Sequence, residues 1–415
     1  MLCLLVNYIV TIYVSINYFK CGYAGVTMSV VKSKEISMQY RDFGKTGIKV
    51  SVLGFGCMRL PKKMVNGREV FDHDESVRII RKAIDNGINY IDTGYFYCDK
   101  ESEAIVGKAL RDGYREKVYL STKLPIGRET DSEEKIMTFL NRSLDSLQTD
   151  HIDFYHLWGI NWKDYQEFID KPDGVLPVVL RAKEQGMIRH LSFSFHDEAA
   201  NMMKIIDTGH FASVLCQYNL LDQANEESIA YANDKGLGVV IMGPVGGGRL
   251  GAPSPVIQNM LPGGTRSSAE LALRFVISNP NVSCALSGMG SERMVDENIE
   301  VASRESALTQ TERAAVLDVV EEKKRLSELY CTGCNYCMPC PSKVDIPGNF
   351  EIMNLHRVYG LTDAAKQRYA ELGTGWAKDR LPASACVECG VCEKKCPQKI
   401  EIRKQLKETD RVLRK

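Results

Sequence analysis

Along this chain short apolar runs alternate with segments whose apolar residues recur at helical spacing. From Tyr40 to Met58 the text YRDFGKTGIKVSVLGFGCM predicts a hairpin turning at Lys45-Thr46-Gly47, then a buried strand over 52–58. Asp74 can cap a helix whose Val77, Ile80, Ala83 and Ile84 share one face, and Gly87 ends it before a strand over 88–92. The unit then repeats. A helix near 103–110 precedes strand 118–122, one carrying Ile136, Phe139, Leu140, Leu144 and Leu147 precedes strand 152–158, and helix 175–185 precedes strand 188–195. Strands over 214–218, 238–242 and 282–287 follow, each after a helical stretch.

Parallel strands need crossovers, and both faces of their sheet must be covered. Strands alternating with helices over roughly 270 residues therefore predict an α/β fold, a closed (β/α)8 TIM-type barrel, with an open doubly wound sheet as the alternative. A charged helical stretch over 311–329 leads out of it. The expected organisation is an extension at 1–38, a barrel at 39–305, a linker helix at 306–330 and a small, mainly helical cysteine-rich domain at 331–415.

Composition narrows the classes. A chain of 415 residues exceeds what one core usually serves, and 44% hydrophobic with 26% charged residues is ordinary for a globular protein. Lys+Arg and Asp+Glu are equal at 53 each, so no net field favours nucleic acid or an anionic membrane. Residues 2–19 are mostly apolar but broken by Asn7, Thr11, Ser15 and Asn17. No basic residue precedes them, no small-residue cleavage site follows, and the length is marginal for a bilayer. An anchor or signal is one reading; the preferred one starts translation at Met28 or Met38 and makes this a cytoplasmic protein.

The cysteines change the picture most. There are 14, which would suit a disulfide scaffold only in a short chain, and eight of them are clustered, which points to metal. Cys331, Cys334, Cys337 and Cys340 form C-x2-C-x2-C-x2-C-P, and Cys386, Cys389, Cys392 and Cys396 form C-x2-C-x2-C-x3-C-P. Three thiolates at this spacing wrap three corners of a cubane, and the fourth, before proline, reaches the other cluster in two-cluster proteins. The expectation is two [4Fe-4S] clusters, one on Cys331, Cys334, Cys337 and Cys396, the other on Cys386, Cys389, Cys392 and Cys340. Paired zinc sites are the alternative, although zinc knuckles need no trailing Cys-Pro. Between the runs, helical stretches at 350–358 and 364–372 replace the short spacer of a compact ferredoxin.

YRDFGKTGIKVSVLGFGCM, IDTGYFY, LSTKLP, CQYNLLD and SGMGSERMVDENI together resemble the aldo/keto reductase superfamily over residues 39–301. With the tail, the chain is similar to aldo/keto-reductase-type oxidoreductases that carry a ferredoxin domain. The resemblance implies nicotinamide-dependent chemistry on a small molecule by Asp92, Tyr97 and Lys123, with the lysine pulling the phenol's pKa down toward working pH. The family's histidine is displaced: IDFYHLWG puts Trp158 at that position and His156 two residues earlier. Strand alternation sends both to one face, with His156 one layer deeper, as catalytic residue or as core.

For NAD(H) or NADP(H), the resemblance implies contacts from Ser194, Gln217, Met242, Gly243, Gly247, Arg249, Gly288, Met289, Arg293, Glu297 and Asn298. Glycines after strands seven and eight admit phosphates to the backbone. Met289 and Met294 stand where a cation often meets a 2'-phosphate, which favours NADH, with Arg249 or Arg293 as substitutes. Because a nicotinamide passes two electrons and each cluster one, either a flavin, on a partner protein, bridges them, or the clusters serve another electron-transfer partner, or they are structural; the expected partners are a small-molecule substrate and a flavoprotein or ferredoxin. The alternative is a nucleotide-binding redox sensor without turnover.

Overall fold

The computed structural model describes residues 37–127, 130–303, 308–328, 331, 333–396 and 399–414. The apolar N-terminal run and the reading of it as an extension lie outside them, except for Ser37 and Met38, and Met38 is buried over Gly87. Among the described residues no helix is long and apolar enough to cross a membrane.

The predicted hairpin is β1 (Tyr40–Asp42) paired antiparallel with β2 (Lys49–Ser51). It closes the barrel floor by inserting Phe43, 4.7 Å from the Phe154 ring, beside Tyr90, Leu215 and Val240. Gly238 is glycine because a Cβ there would strike the Phe43 ring at 2.6 Å. Eight parallel strands close on themselves in the order β3 (Leu53–Gly56), β6 (Tyr90–Asp92), β7 (Tyr119–Leu124), β8 (Ile152–Ile160), β9 (Ile188–Phe195), β10 (Ser213–Gln217), β11 (Gly238–Met242) and β12 (Cys284–Ser287). The closed barrel holds, and the open sheet is excluded.

Two local readings change. The first helix, His73–Asp85, is capped by Asp72, whose side chain accepts from the Glu75 N–H, so Asp74 lies inside the first turn. A second hairpin, β4 (Lys62–Val65) with β5 (Arg68–Phe71), stands at the mouth and went unread. Its turn is Asn66-Gly67, both at positive φ (51° and 76°), the dipeptide of a type I′ turn.

Beyond the barrel, the helix Gln310–Glu328 returns along its side. Arg313 donates to the Tyr218 hydroxyl and to Glu226, both at 2.5 Å, and Lys324 donates to the Gln223 amide oxygen at 2.8 Å. The cysteine-rich segment then builds the helices Ile346–Arg357, Thr362–Glu371 and Ile402–Leu413. Asp345 caps the first through the Gly348 N–H and pairs with Arg380 at 2.5 Å. This module rests on the loop that follows β11: Ser254 Oγ donates to the Tyr359 carbonyl at 2.6 Å, with Gly360 alongside.

Candidate active site and cluster centre

At the C-terminal ends of the strands, β6 and β7 bring two charges together inside the wall. The Lys123 ammonium donates to both Asp92 carboxylate oxygens at 2.8 and 2.7 Å and to the Thr93 carbonyl at 2.5 Å, while Ser121 Oγ donates to Asp92 at 2.8 Å. The same ammonium also interacts with the Tyr97 side chain. Burial works against the charged lysine, but Asp92, then Tyr97, outweigh it and hold its pKa above the ordinary value.

Tyr97 stands over this pair. The ammonium is 4.6 Å from its ring centroid, and the ring lies against Gly94, where a Cβ would sit 3.4 Å away. The expected drop in the phenol's pKa is corrected: burial raises it, Lys123 offsets part of the rise, and the net is upward. The hydroxyl is therefore a neutral donor at ordinary pH. Cys98, Asp99 and Lys100, directly after it, are all left-handed (φ 50°, 51° and 73°), at about 1–2 kcal/mol each. The Cys98 thiol donates to the Cys57 and Met58 carbonyls at 3.4 and 3.5 Å and ties this turn to the end of β3.

On β8, His156 is registered opposite Lys123 and fully enclosed; its Nε2 is 3.4 Å from the Tyr90 hydroxyl and its Nδ1 lacks a partner. Burial, and next the Lys123 charge, lower its pKa to about 3, so it is neutral. β8 then bulges: Leu157 pairs with Phe193 but Ile160 with Phe195, one residue extra. Gly159 takes the positive φ of 63° and its N–H donates to Ser194 Oγ at 2.7 Å. Trp158 meets the Tyr97 ring edge-on, centroids 5.5 Å apart.

The expected cofactor residues separate into groups. Gln217 and Met242 pair across β10 and β11, and the Gln217 amide fills the space a Cβ on Gly243 would need, with contacts of 2.8 and 2.9 Å. Gly246, Gly247 and Gly248 are all left-handed, and at Gly288 a Cβ would meet nothing within 3.6 Å. These turns fit close approach of a phosphate, and Gln217 with Ser194 supplies amide-binding groups. Asn298 turns inward and donates to Ser287 Oγ at 3.0 Å, whereas Glu297 faces a separate hollow beside Asp85 and Gly87. Met289 is wholly in the core; Arg293 is 80% exposed beside Glu297; Arg249 donates to the Gly246 carbonyl at 2.7 Å.

Arg59 was not singled out from sequence. It follows β3 and donates to the Gly247 carbonyl across the mouth. The available signal was a cation just past the C-terminal end of a barrel strand.

In the cysteine module, Cys331, Cys334, Cys337 and Cys396 line one hollow, walled by Ile346, Pro347, Phe350, Ile400 and Ile402. A hollow ringed by four thiols is what a multi-iron cluster needs. The two cysteine runs repeat one local geometry. The Gly333 N–H donates to Cys331 Sγ and the Glu388 N–H to Cys386 Sγ, each at 3.4 Å, and Gly333, Asn335, Glu388 and Gly390 are all left-handed. Cys334 and Cys389 are exposed, and Cys386 and Cys392 are electrostatic neighbours. Cys340 sits before the Lys343 turn.

A barrel with a buried Asp-Lys pair under a tyrosine, joined to an eight-cysteine module, defines an oxidoreductase class, and comparison with known proteins agrees. The aldo/keto reductase family profile matches residues 52–254, and that of the 4Fe-4S dicluster domain matches 330–401. The apo form of aldo-keto reductase AKR11C1 from Bacillus halodurans superposes with a TM-score of 0.55 at 30% identity, covering 68% of this chain and 96% of that one. L-galactose dehydrogenase from Arabidopsis thaliana is 26% identical over 68% of this chain and 96% of its own length. The oxidoreductase YrpG of Bacillus subtilis is 32% identical over 52% of this chain and 68% of its own. The chain belongs to the aldo/keto reductase family and carries a 4Fe-4S dicluster domain at its C-terminal end.

Proposed function

We propose that this protein is a nicotinamide-dependent oxidoreductase that interconverts a small carbonyl compound and its alcohol in the barrel and passes single electrons through two [4Fe-4S] clusters. The observation carrying the reading is the Lys123 ammonium, bound by Asp92 and Thr93 beneath the Tyr97 ring. A nicotinamide held here would supply the hydride that reaches the carbonyl carbon. Tyr97, neutral because of its burial, gives its phenolic proton to the carbonyl oxygen, and Lys123 stabilises the phenolate left behind. Asp92 fixes the lysine and keeps it charged. Trp158 packs edge-on against Tyr97, and an aromatic wall there suits a flat, partly apolar substrate better than a highly hydrated one.

Gln217 and Ser194 hold the carboxamide, the glycines after β11 and β12 the phosphates. The eight cysteines hold the clusters, which supply one-electron steps. Since hydride moves two electrons and each cluster one, a flavin on a partner protein would join the two, whereas a ferredoxin would only exchange single electrons with the clusters; cytoplasmic residence suits clusters with exposed cysteines.

Tyr97→Phe is expected to lower kcat by about 10²–10⁴ while leaving cofactor affinity within about twofold. Anaerobic turnover and fluorescence titration of the cluster-loaded chain check this. Unchanged turnover would remove Tyr97 from the chemistry. Dinucleotide binding with no turnover in the wild-type chain would favour the second reading, a nucleotide-binding redox sensor, which the displaced, enclosed His156 supports.

A further inference from the structure

We infer that Arg59 clamps the cofactor's pyrophosphate, from the β3 side of the mouth; the inference rests on the nicotinamide reading above. Arg59 joins the two glycine turns. Its guanidinium donates to the Gly247 carbonyl, its Nη1 lies 2.9 Å from where a Gly248 Cβ would be, and its own Cβ lies 3.8 Å from that of a Gly288 side chain. Glycine lets the backbone of both turns approach a phosphate closely, and Arg59 spans them.

The chemistry matches the ligand class. A guanidinium carries a permanent charge and five donors; the Gly247 carbonyl engages one nitrogen and leaves a fork suited to two phosphate oxygens. The residue is exposed, so the fork is open to a ligand. Other cations near these turns face away: Arg249 is half-buried toward Arg368 and Glu351 of the cluster module, and Arg293 lies beside Glu297. At the end of β12, the Met294 sulfur takes the Gly290 N–H at 3.4 Å, and Met289 is in the core. Arg59 is thus the cation placed to set affinity for every dinucleotide alike, because the pyrophosphate is common to NADH and NADPH.

The test uses the full, cluster-loaded chain under anaerobic conditions, with Arg59→Ala and Arg59→Lys. NADH, NADPH, ADP-ribose and reduced nicotinamide riboside, which has no phosphate, are titrated separately by fluorescence or calorimetry. Arg59→Ala is expected to weaken NADH, NADPH and ADP-ribose by about 10- to 100-fold each and the riboside by less than about twofold, with Arg59→Lys recovering part of the loss. Undiminished ADP-ribose binding would overturn the clamp. An equal loss for the riboside would make Arg59 a prop for the loop, and a loss confined to NADPH would make it a reader of the 2'-phosphate; either overturns the proposal. If the wild-type chain binds none of the dinucleotides, the nicotinamide reading fails, and the clamp with it.

Discussion

Individual side chains at the mouth are held by opposing charge and burial terms, and the balance differs for each. Lys123 and Asp92 are nearly solvent-free, at 1% and 4% side-chain exposure, so each depends on the other. Lys123→Met is expected to destabilise the chain by about 3–5 kcal/mol by leaving the carboxylate buried and unpaired. Adding Asp92→Asn should return part of that stability but no turnover, which denaturant midpoints and activity of the two variants check. His156 has the opposite dependence. Its folded pKa of about 3 lies below the unfolded value, so the unfolded chain takes up the proton first and stability falls as pH drops below the unfolded pKa. At pH 5.5 the loss from this group alone is about 1.4 kcal/mol, and His156→Gln should remove it. Equal pH dependence in both proteins would contradict an enclosed, neutral imidazole. The Asp-Tyr-Lys set was expected from the family resemblance, and the assembled barrel brings the three side chains together. The pKa of Tyr97 was not legible in the sequence, since the depth of burial of a phenol is a property of the assembled mouth.

Elements were read well where periodicity is strong. Strands β9 and β11 fall where alternation placed them, and the helix Glu133–Leu147 lies under its predicted apolar positions. What pattern could not carry was local geometry: the β8 bulge is a single extra residue, and β4 and β5 are exposed and so lack a buried face to reveal them. Helix contacts also turn on single atoms. Gly107 lets the helix Ser102–Ala109 press on the backbone at Ser146 and Leu147, with no room for a Cβ. Gly107→Ala should cost about 1–3 kcal/mol, measurable as a lowered urea midpoint with unchanged slope. An unaffected midpoint would mean the two helices separate at little cost.

Across the whole molecule, the barrel is closed by its own strand ladder, whereas the cysteine module has two cysteine runs separated by the helices Ile346–Arg357 and Thr362–Glu371. Removing iron should therefore loosen residues 331–415 before the barrel, with early proteolytic cuts confined to that segment. Contacts such as Ser254 with Tyr359 put the module on the loop that carries the glycine turns, so loss of the clusters is also expected to weaken nucleotide binding. The sequence announced both modules through cysteine spacing and strand count. Their docking was not legible, because it depends on surfaces far apart in the chain. The most direct test of the two-module account is iron and acid-labile sulfide content of the anaerobically purified chain, with visible absorbance followed during reduction. The account predicts about eight of each per chain and absorbance that bleaches as electrons enter. Zinc in place of iron, or one cluster's worth of iron with all eight cysteines intact, would contradict it.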